Sequence, residues 1–245
     1  MKNPSVFLIP SIFAIVFLPF LASAEDEWVS LFNGKDLSWW VEPEVAGIWS
    51  VKDGVIDCDP KLKPKGEKHL WTEEEFGDFE LELEWRIKEK KGTFAVPVVL
   101  SDGSYKMGKD GKKITETGPG ADSGIYLRGA GKSQVNIWCW PIGSGEVYGY
   151  RNNQKDSVIR AGVTPKVNAD KPVGEWNKFL ITMKGDRLTV VLNGETVIEN
   201  AQLPGVPEKG PIALQHHGGY DEEKKEWNGA SSLVQFRVVR IRRLP

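Results

Sequence analysis

The chain has 245 residues, 40% of them hydrophobic, and its 32 Lys and Arg nearly balance its 34 Asp and Glu, for a net charge of −2. With no long basic run, neither nucleic acid nor an anionic membrane surface is an expected partner. Two cysteines, Cys58 and Cys139, are too few for a disulfide scaffold or a Cys-rich zinc module.

Residues 1–24, "MKNPSVFLIPSIFAIVFLPFLASA", carry one positive charge at Lys2, an apolar stretch interrupted by Pro10 and Pro19, and small residues at Ala22 and Ala24. This is the pattern of a secretory signal peptide with an A-x-A cleavage site. The apolar run falls short of the roughly 20 residues of a spanning helix, and no stop-transfer pattern follows. The expectation is a secreted or periplasmic protein, free of the membrane after cleavage, in which residues 25–245 form a single domain.

From Trp28 onward, short β-rich segments alternate with Gly, Asp and Asn turns. "GIWSVKDGVIDC" reads as a hairpin turning at Asp53-Gly54. "DFELELEWRI" places Phe79, Leu81, Leu83 and Trp85 on a buried face and Glu80, Glu82, Glu84 and Arg86 on a wet one. Ser101 to Gly124, rich in Gly and Lys, reads as a surface excursion between strands. "SGIYLRG" then puts Gly124, Tyr126 and Arg128 on one face and Ser123, Ile125 and Leu127 on the other.

"QVNIWCW", taken as one strand from Gln134 to Trp140, sets Gln134, Asn136, Trp138 and Trp140 on one face and Val135, Ile137 and Cys139 on the core side. Glu146 and Tyr148 share a face in "GSGEVYGY". The next segment, Arg151 to Trp176, reads as a second long loop. "WNKFLITMKGDRLTVVLNGETVIEN" is a three-strand meander with turns at Lys184-Gly185-Asp186 and Asn193-Gly194. In "PIALQHH", alternation brings Gln215 and His217 together, opposite Ile212 and Leu214, and sends His216 toward the core. "LVQFRVVRIRRL" supplies a last strand. About a dozen strands with frequent turn signals specify an all-β fold, a two-sheet jelly-roll sandwich. Cys58 and Cys139 both fall on core-facing positions, so two packed free thiols and a single bridge are both compatible with the pattern.

Seven segments in order, "VSLFNGKDLSWW", "GIWSVKDGVID", "FGDFELELEWRI", "ADSGIYLRG", "QVNIW", "GEWNKFLITMKGDRLTVVLNG" and "GPIALQHHG", resemble the 3-keto-disaccharide hydrolase family across nearly all of residues 25–245. The resemblance implies a concanavalin A-like lectin and glucanase fold, and cleavage of glycosides already oxidised to a ketone at C3. The chain departs from the family pattern in three places, one of them the Ser101–Gly124 excursion, which is longer than the link expected before "SGIYLRG". Where many members read "EVQI" followed by Asp, this chain has Gln134-Val135-Asn136-Ile137 and then Trp138-Cys139. Where many read "QDHG", it has Gln215-His216-His217-Gly218.

A ketone at C3 acidifies the C2 proton, so the chemistry asks for a base, a stabiliser of the enolate oxygen and a proton donor for the leaving group. The residues expected in these roles are His217 as base, Arg128 with Gln215 at the enolate and hydroxyls, and Glu146 as donor. Trp138 and Trp140 suit the apolar face of a sugar ring, and Gln134, Asn136, Tyr148 and Gln215 suit its hydroxyls. No cofactor or metal-ligand fingerprint appears, although a divalent ion polarising the ketone is compatible with the chemistry. The expected partner is an oligosaccharide or glycoside substrate. A non-catalytic carbohydrate-binding module of the same fold competes with this reading, favoured by the missing "EVQI" carboxylates, while the Gln215/His217 pair favours the enzyme. A cell-surface interaction domain has no feature in its favour beyond export.

Overall fold

A computed structural model describes residues 27–62, 66–153 and 155–245. The leader expected over residues 1–24 lies outside them. Two antiparallel sheets face each other. The larger has eight strands, ordered Glu195–Gln202, Arg187–Leu192, Asn177–Lys184, Phe79–Ile87, Val234–Arg243, Val55–Cys58 and Trp49–Lys52, with Val29–Ser30 also joined to Val234–Arg243. The smaller has five, ordered Gln134–Trp138, Asp122–Tyr126, Gly210–Leu214, Leu70–Phe76 and Trp40–Val41. This is the jelly-roll sandwich that the alternation anticipated. Its core is closed by Phe79, Leu81, Leu83 and Trp85 from the larger sheet and Leu70, Ile125, Val135, Ile137 and Leu214 from the smaller. Among the described residues no helix is long and apolar enough to cross a membrane.

The hairpin turns follow from backbone chemistry. Asp53-Gly54 and Asn193-Gly194 have φ of 51° and 76°, and 54° and 92°, the paired positive angles that match a two-residue turn to the twist of its strands. The glutamate face of Phe79–Ile87, expected to be wet, is covered by cations. Arg242 meets Glu80 at 2.6 Å, Arg240 and Lys178 both meet Glu82 at 2.8 Å, and Arg237 meets Glu84 at 2.6 Å. Regular alternation would split Arg237 and Arg240 between two faces. A bulge with Val238 at φ 50° inserts the extra residue that keeps them on one face.

Three local expectations change. The strand beginning at Gln134 ends at Trp138 rather than Trp140. The Arg151–Trp176 segment is not all loop, because the helices Tyr148–Asn153 and Ser157–Gly162 cross its start. In the second, the Asp156 carboxylate caps the N-terminus by accepting from Val158 and Ile159. The Ser101–Gly124 excursion is largely a hairpin extension, with Thr115–Gly120 pairing to Lys91–Pro97 and the chain between them closed by bridges Val99 to Tyr105 and Met107 to Lys113. Both cysteines are free: Cys58 is buried, and Cys139, just past its strand, accepts from the Ala121 N–H at 3.3 Å.

Candidate active site on the concave sheet

The five-stranded sheet buries one face, so the alternate residues of every strand emerge together on the other. Register places them in rows. Gln134 stands opposite Tyr126, Tyr126 opposite Ala213, and Ala213 opposite Trp71. In the next row Asn136 is opposite Gly124, whose carbonyl accepts from the Gln215 N–H at 2.9 Å. Beyond it Trp138 is opposite Asp122.

At the Trp138 end of these rows is a cavity of about 760 Å³. Its floor is Gln134, Asn136, Trp138, Asp122, Gln215 and His217. Trp140, Tyr148 and Arg151 form one side, and the hairpin extension closes over it with Val96 to Val99, Tyr105, Lys113 and Glu116. The excursion beyond the jelly roll therefore builds a wall of the site. Mixed aromatic, amide and charged walls of this size fit a small polar ligand with apolar faces.

His217 is fixed at two points, one of them tied on to Asp122. Its N–H donates to Ser232 Oγ at 2.7 Å, its Nδ1 lies 2.6 Å from the Ala230 carbonyl, and Ser232 Oγ in turn donates to the Asp122 carbonyl at 2.8 Å. A carbonyl only accepts, so Nδ1 carries the proton and Nε2 keeps its lone pair. Burial pushes the Asp122 carboxyl up to about 6, with the neighbouring His217 acting in the opposite direction. The Asp122 and His217 side chains thus both line the cavity, close enough to influence each other electrostatically. His216 points away and is buried, and desolvation pulls its imidazole down to about 4, which keeps it neutral.

Gln134, Asn136, Trp138, Trp140, Tyr148, Gln215 and His217 all line the cavity, but not all by the route the sequence suggested. Trp140 arrives from a bend after the strand, and Tyr148 from the first turn of a helix, where it meets Trp138 edge-on at 6.1 Å.

Arg128 and Glu146 are not at the cavity. Arg128 lies past the end of Asp122–Tyr126 with φ 51°, so strand parity no longer governs its direction. Its guanidinium donates to the carbonyls of Gly77, Gly185 and Pro207 at 2.8, 2.7 and 3.0 Å and to Asp78 at 2.7 Å. That makes it a buried clamp between loops, paired with Asp78. Glu146 is fully buried and accepts from Arg151 Nε; burial pushes its carboxyl up to about 7 against the pull of Arg151. Arg151, not Glu146, is the residue of this pair that reaches the cavity.

Asp122, Arg151 and Ser232 were not singled out from the sequence. Asp122 was within reach of it, since "ADSGIYLRG" alternates Asp122 with Gly124 and Tyr126. Arg151 was hidden by the reading of its helix as loop. Among the described residues no group of three or more His, Cys, Asp or Glu is arranged to hold a metal ion.

A sequence model of the 3-keto-alpha-glucoside-1,2-lyase-like domain matches residues 27–242. A 3-keto-disaccharide hydrolase from Bacteroides thetaiotaomicron is 24% identical over 181 residues, covering 71% of this chain and 58% of that protein, so the chain spans less than two thirds of its relative's length. A solved Parabacteroides distasonis protein that bears a provisional glycosyl hydrolase name superposes with a TM-score of 0.55 at 24% identity, over 89% of this chain and 84% of the other. A second from the same organism gives 0.53 at 21% identity, over 89% and 100%. At these identities the solved structures bear on fold alone. The domain match spans both sheets and every residue of the cavity, and by it the chain belongs to the 3-keto-alpha-glucoside-1,2-lyase-like domain family.

Proposed function

We propose that this protein is an exported carbohydrate-active enzyme that cleaves glycosides carrying a ketone at C3. The observation that carries the reading is the presence of Asp122 and His217 together in a cavity whose floor is otherwise three amides and a tryptophan. His217 Nε2 takes the C2 proton, and the electron pair moves to the C3 oxygen as an enolate. The enolate collapses to expel the glycosidic oxygen from C1, which takes a proton from the Asp122 carboxyl. Addition of water across the resulting C1–C2 double bond then gives net hydrolysis.

In this scheme Asp122 holds the donor role first expected of Glu146, because its carboxyl lines the cavity and is kept partly protonated near neutrality. Arg151 takes the enolate role expected of Arg128. Its guanidinium is held by Glu146 Oε1, the Gly103 carbonyl at 3.2 Å and the Tyr105 hydroxyl at 3.2 Å, which presents a fixed positive charge at the cavity wall. Gln134, Asn136 and Gln215 take sugar hydroxyls, and Trp138 and Trp140 take the apolar ring face. The supporting test is sugar release from a 3-keto-glucoside and from its unoxidised parent, with and without chelator. Release from the keto form alone supports the proposal. Binding without release from either form favours the non-catalytic module, and loss on chelation assigns polarisation of the ketone to a divalent ion.

A further inference from the structure

The cavity occupies one end of the concave face. Farther along the same rows is a cluster that no step of the proposed reaction uses: Trp71, Tyr126, His69 and Glu67. Trp71 and Tyr126 belong to strands separated by Gly210–Leu214, and the residue between them in register is Ala213. A single methyl group there lets the two rings meet above the sheet, with centroids 5.8 Å apart and planes 22° apart. His69 lies against both, 4.9 Å from Tyr126 and 6.2 Å from Trp71.

Glu67 completes the cluster. Its carboxylate accepts from the N–H groups of Lys68 and His69 at 2.7 and 2.8 Å and from the Trp71 side chain. Burial works to raise this carboxyl, but those donors hold it below its usual range, so it is an ionised acceptor at neutral pH. The three rings are half-buried and Glu67 is exposed. A rigid aromatic surface with an ionised acceptor beside it offers a sugar both of its needs: contact for the C–H face and a partner for hydroxyls.

The cluster is continuous with the cavity. Gln215 lines the cavity, and its Nε2 donates to the Tyr126 hydroxyl at 3.2 Å. Strands in a sheet lie 4.7–4.9 Å apart, so Trp71, two strands over, carries the aromatic surface about 10 Å beyond the Asp122–Tyr126 strand.

We propose that Trp71, Tyr126, His69 and Glu67 form a second subsite that binds the aglycone sugar of a disaccharide whose oxidised ring occupies the cavity. This rests on the reading of the cavity as a 3-keto-glycoside site. A substrate with a small aglycone leaves the subsite empty, so the protein prefers disaccharides through contacts remote from the reacting carbons.

The test is the ratio of kcat/KM for a 3-keto-disaccharide to that for methyl 3-keto-glucoside. Trp71→Ala lowers this ratio about tenfold, chiefly through KM, and Trp71→Phe recovers most of it. A ratio unchanged in Trp71→Ala, whatever its absolute activity, overturns the subsite. Should the Ala variant fail to fold, Glu67→Gln is read by the same ratio. Should wild type cleave neither compound, the catalytic reading fails, and calorimetry with the unoxidised disaccharide and methyl glucoside decides the subsite. Tighter disaccharide binding that is lost in the Trp71 variant supports it, and equal affinities overturn it.

Discussion

Gln134 Nε2 donates to Gln215 Oε1 across the strand that separates them, and the residue beneath that bond is Gly124. A Cβ at Gly124 would collide with Gln134 Nε2 and approach the Val135 carbonyl to 2.8 Å. The glycine therefore serves close approach rather than an unusual backbone angle. It lets two amides from non-adjacent strands act as one unit, fixing which faces of each remain for a sugar. Gly124→Ala is expected to destabilise the fold by about 1–3 kcal/mol and to weaken substrate binding. Urea denaturation and KM check this, and full retention of both would mean that the amide pair is not needed.

Base and platform should separate in kinetics. His217→Ala lowers kcat by about 10² or more with little change in sugar affinity, since proton removal belongs to the transition state. Trp138→Ala raises KM and the dissociation constant of a product sugar, because stacking is present before any bond breaks. The opposite pattern, affinity lost with His217 and turnover lost with Trp138, would reverse these roles.

The Asp122 carboxyl links pH to both stability and rate. Its folded pKa of about 6 lies above the ordinary value of 3.8, so between these values the folded chain holds a proton that the unfolded chain releases. Stability contributed by the protonated form is complete at the acid end of this window and is lost as pH rises through about 6. Asp122→Asn is thus expected to be more stable than wild type above pH 6 by on the order of 2 kcal/mol, with the difference closing toward pH 4. Denaturation curves across that range check the sign. As donor, Asp122 also gives kcat/KM a limb that falls above about pH 6, and the Asn variant loses it.

Glu146 and Arg151 form a buried ion pair, so removing one partner strands the other. Glu146→Ala should cost about 3–5 kcal/mol, and the double replacement Glu146→Leu with Arg151→Met should cost less than that single change. A thermal melt of the three proteins tests this. Equal melting temperatures for wild type and Glu146→Ala would contradict the pairing.

The fold was legible because each sheet has one dry face. Period-two patterns such as Phe79, Leu81, Leu83 and Trp85 locate strands without tertiary information, and Asp53-Gly54 and Asn193-Gly194 mark their turns. The same parity found the floor of the site, Gln134, Asn136, Trp138, Gln215 and His217. It failed where the chain stops being a strand. Arg128 turns away at a positive φ, Glu146 sits in the short link before a helix, and Arg237 with Arg240 keep one face only through a bulge. Arg151 reaches the cavity through a six-residue helix, Tyr148–Asn153. Such a short helix carries too little periodic pattern to stand out from a loop.

The most direct test of the central claim is proton transfer at C2. Wild-type protein is mixed with a 3-keto-disaccharide in D₂O, and the released 3-keto sugar is read by NMR at early times, ahead of background exchange. The account predicts deuterium at C2 of the product, no cleavage of the unoxidised parent, and a rate about 10² lower in His217→Ala. Release of a sugar that retains its C2 proton, or cleavage of the parent at a comparable rate, would contradict it.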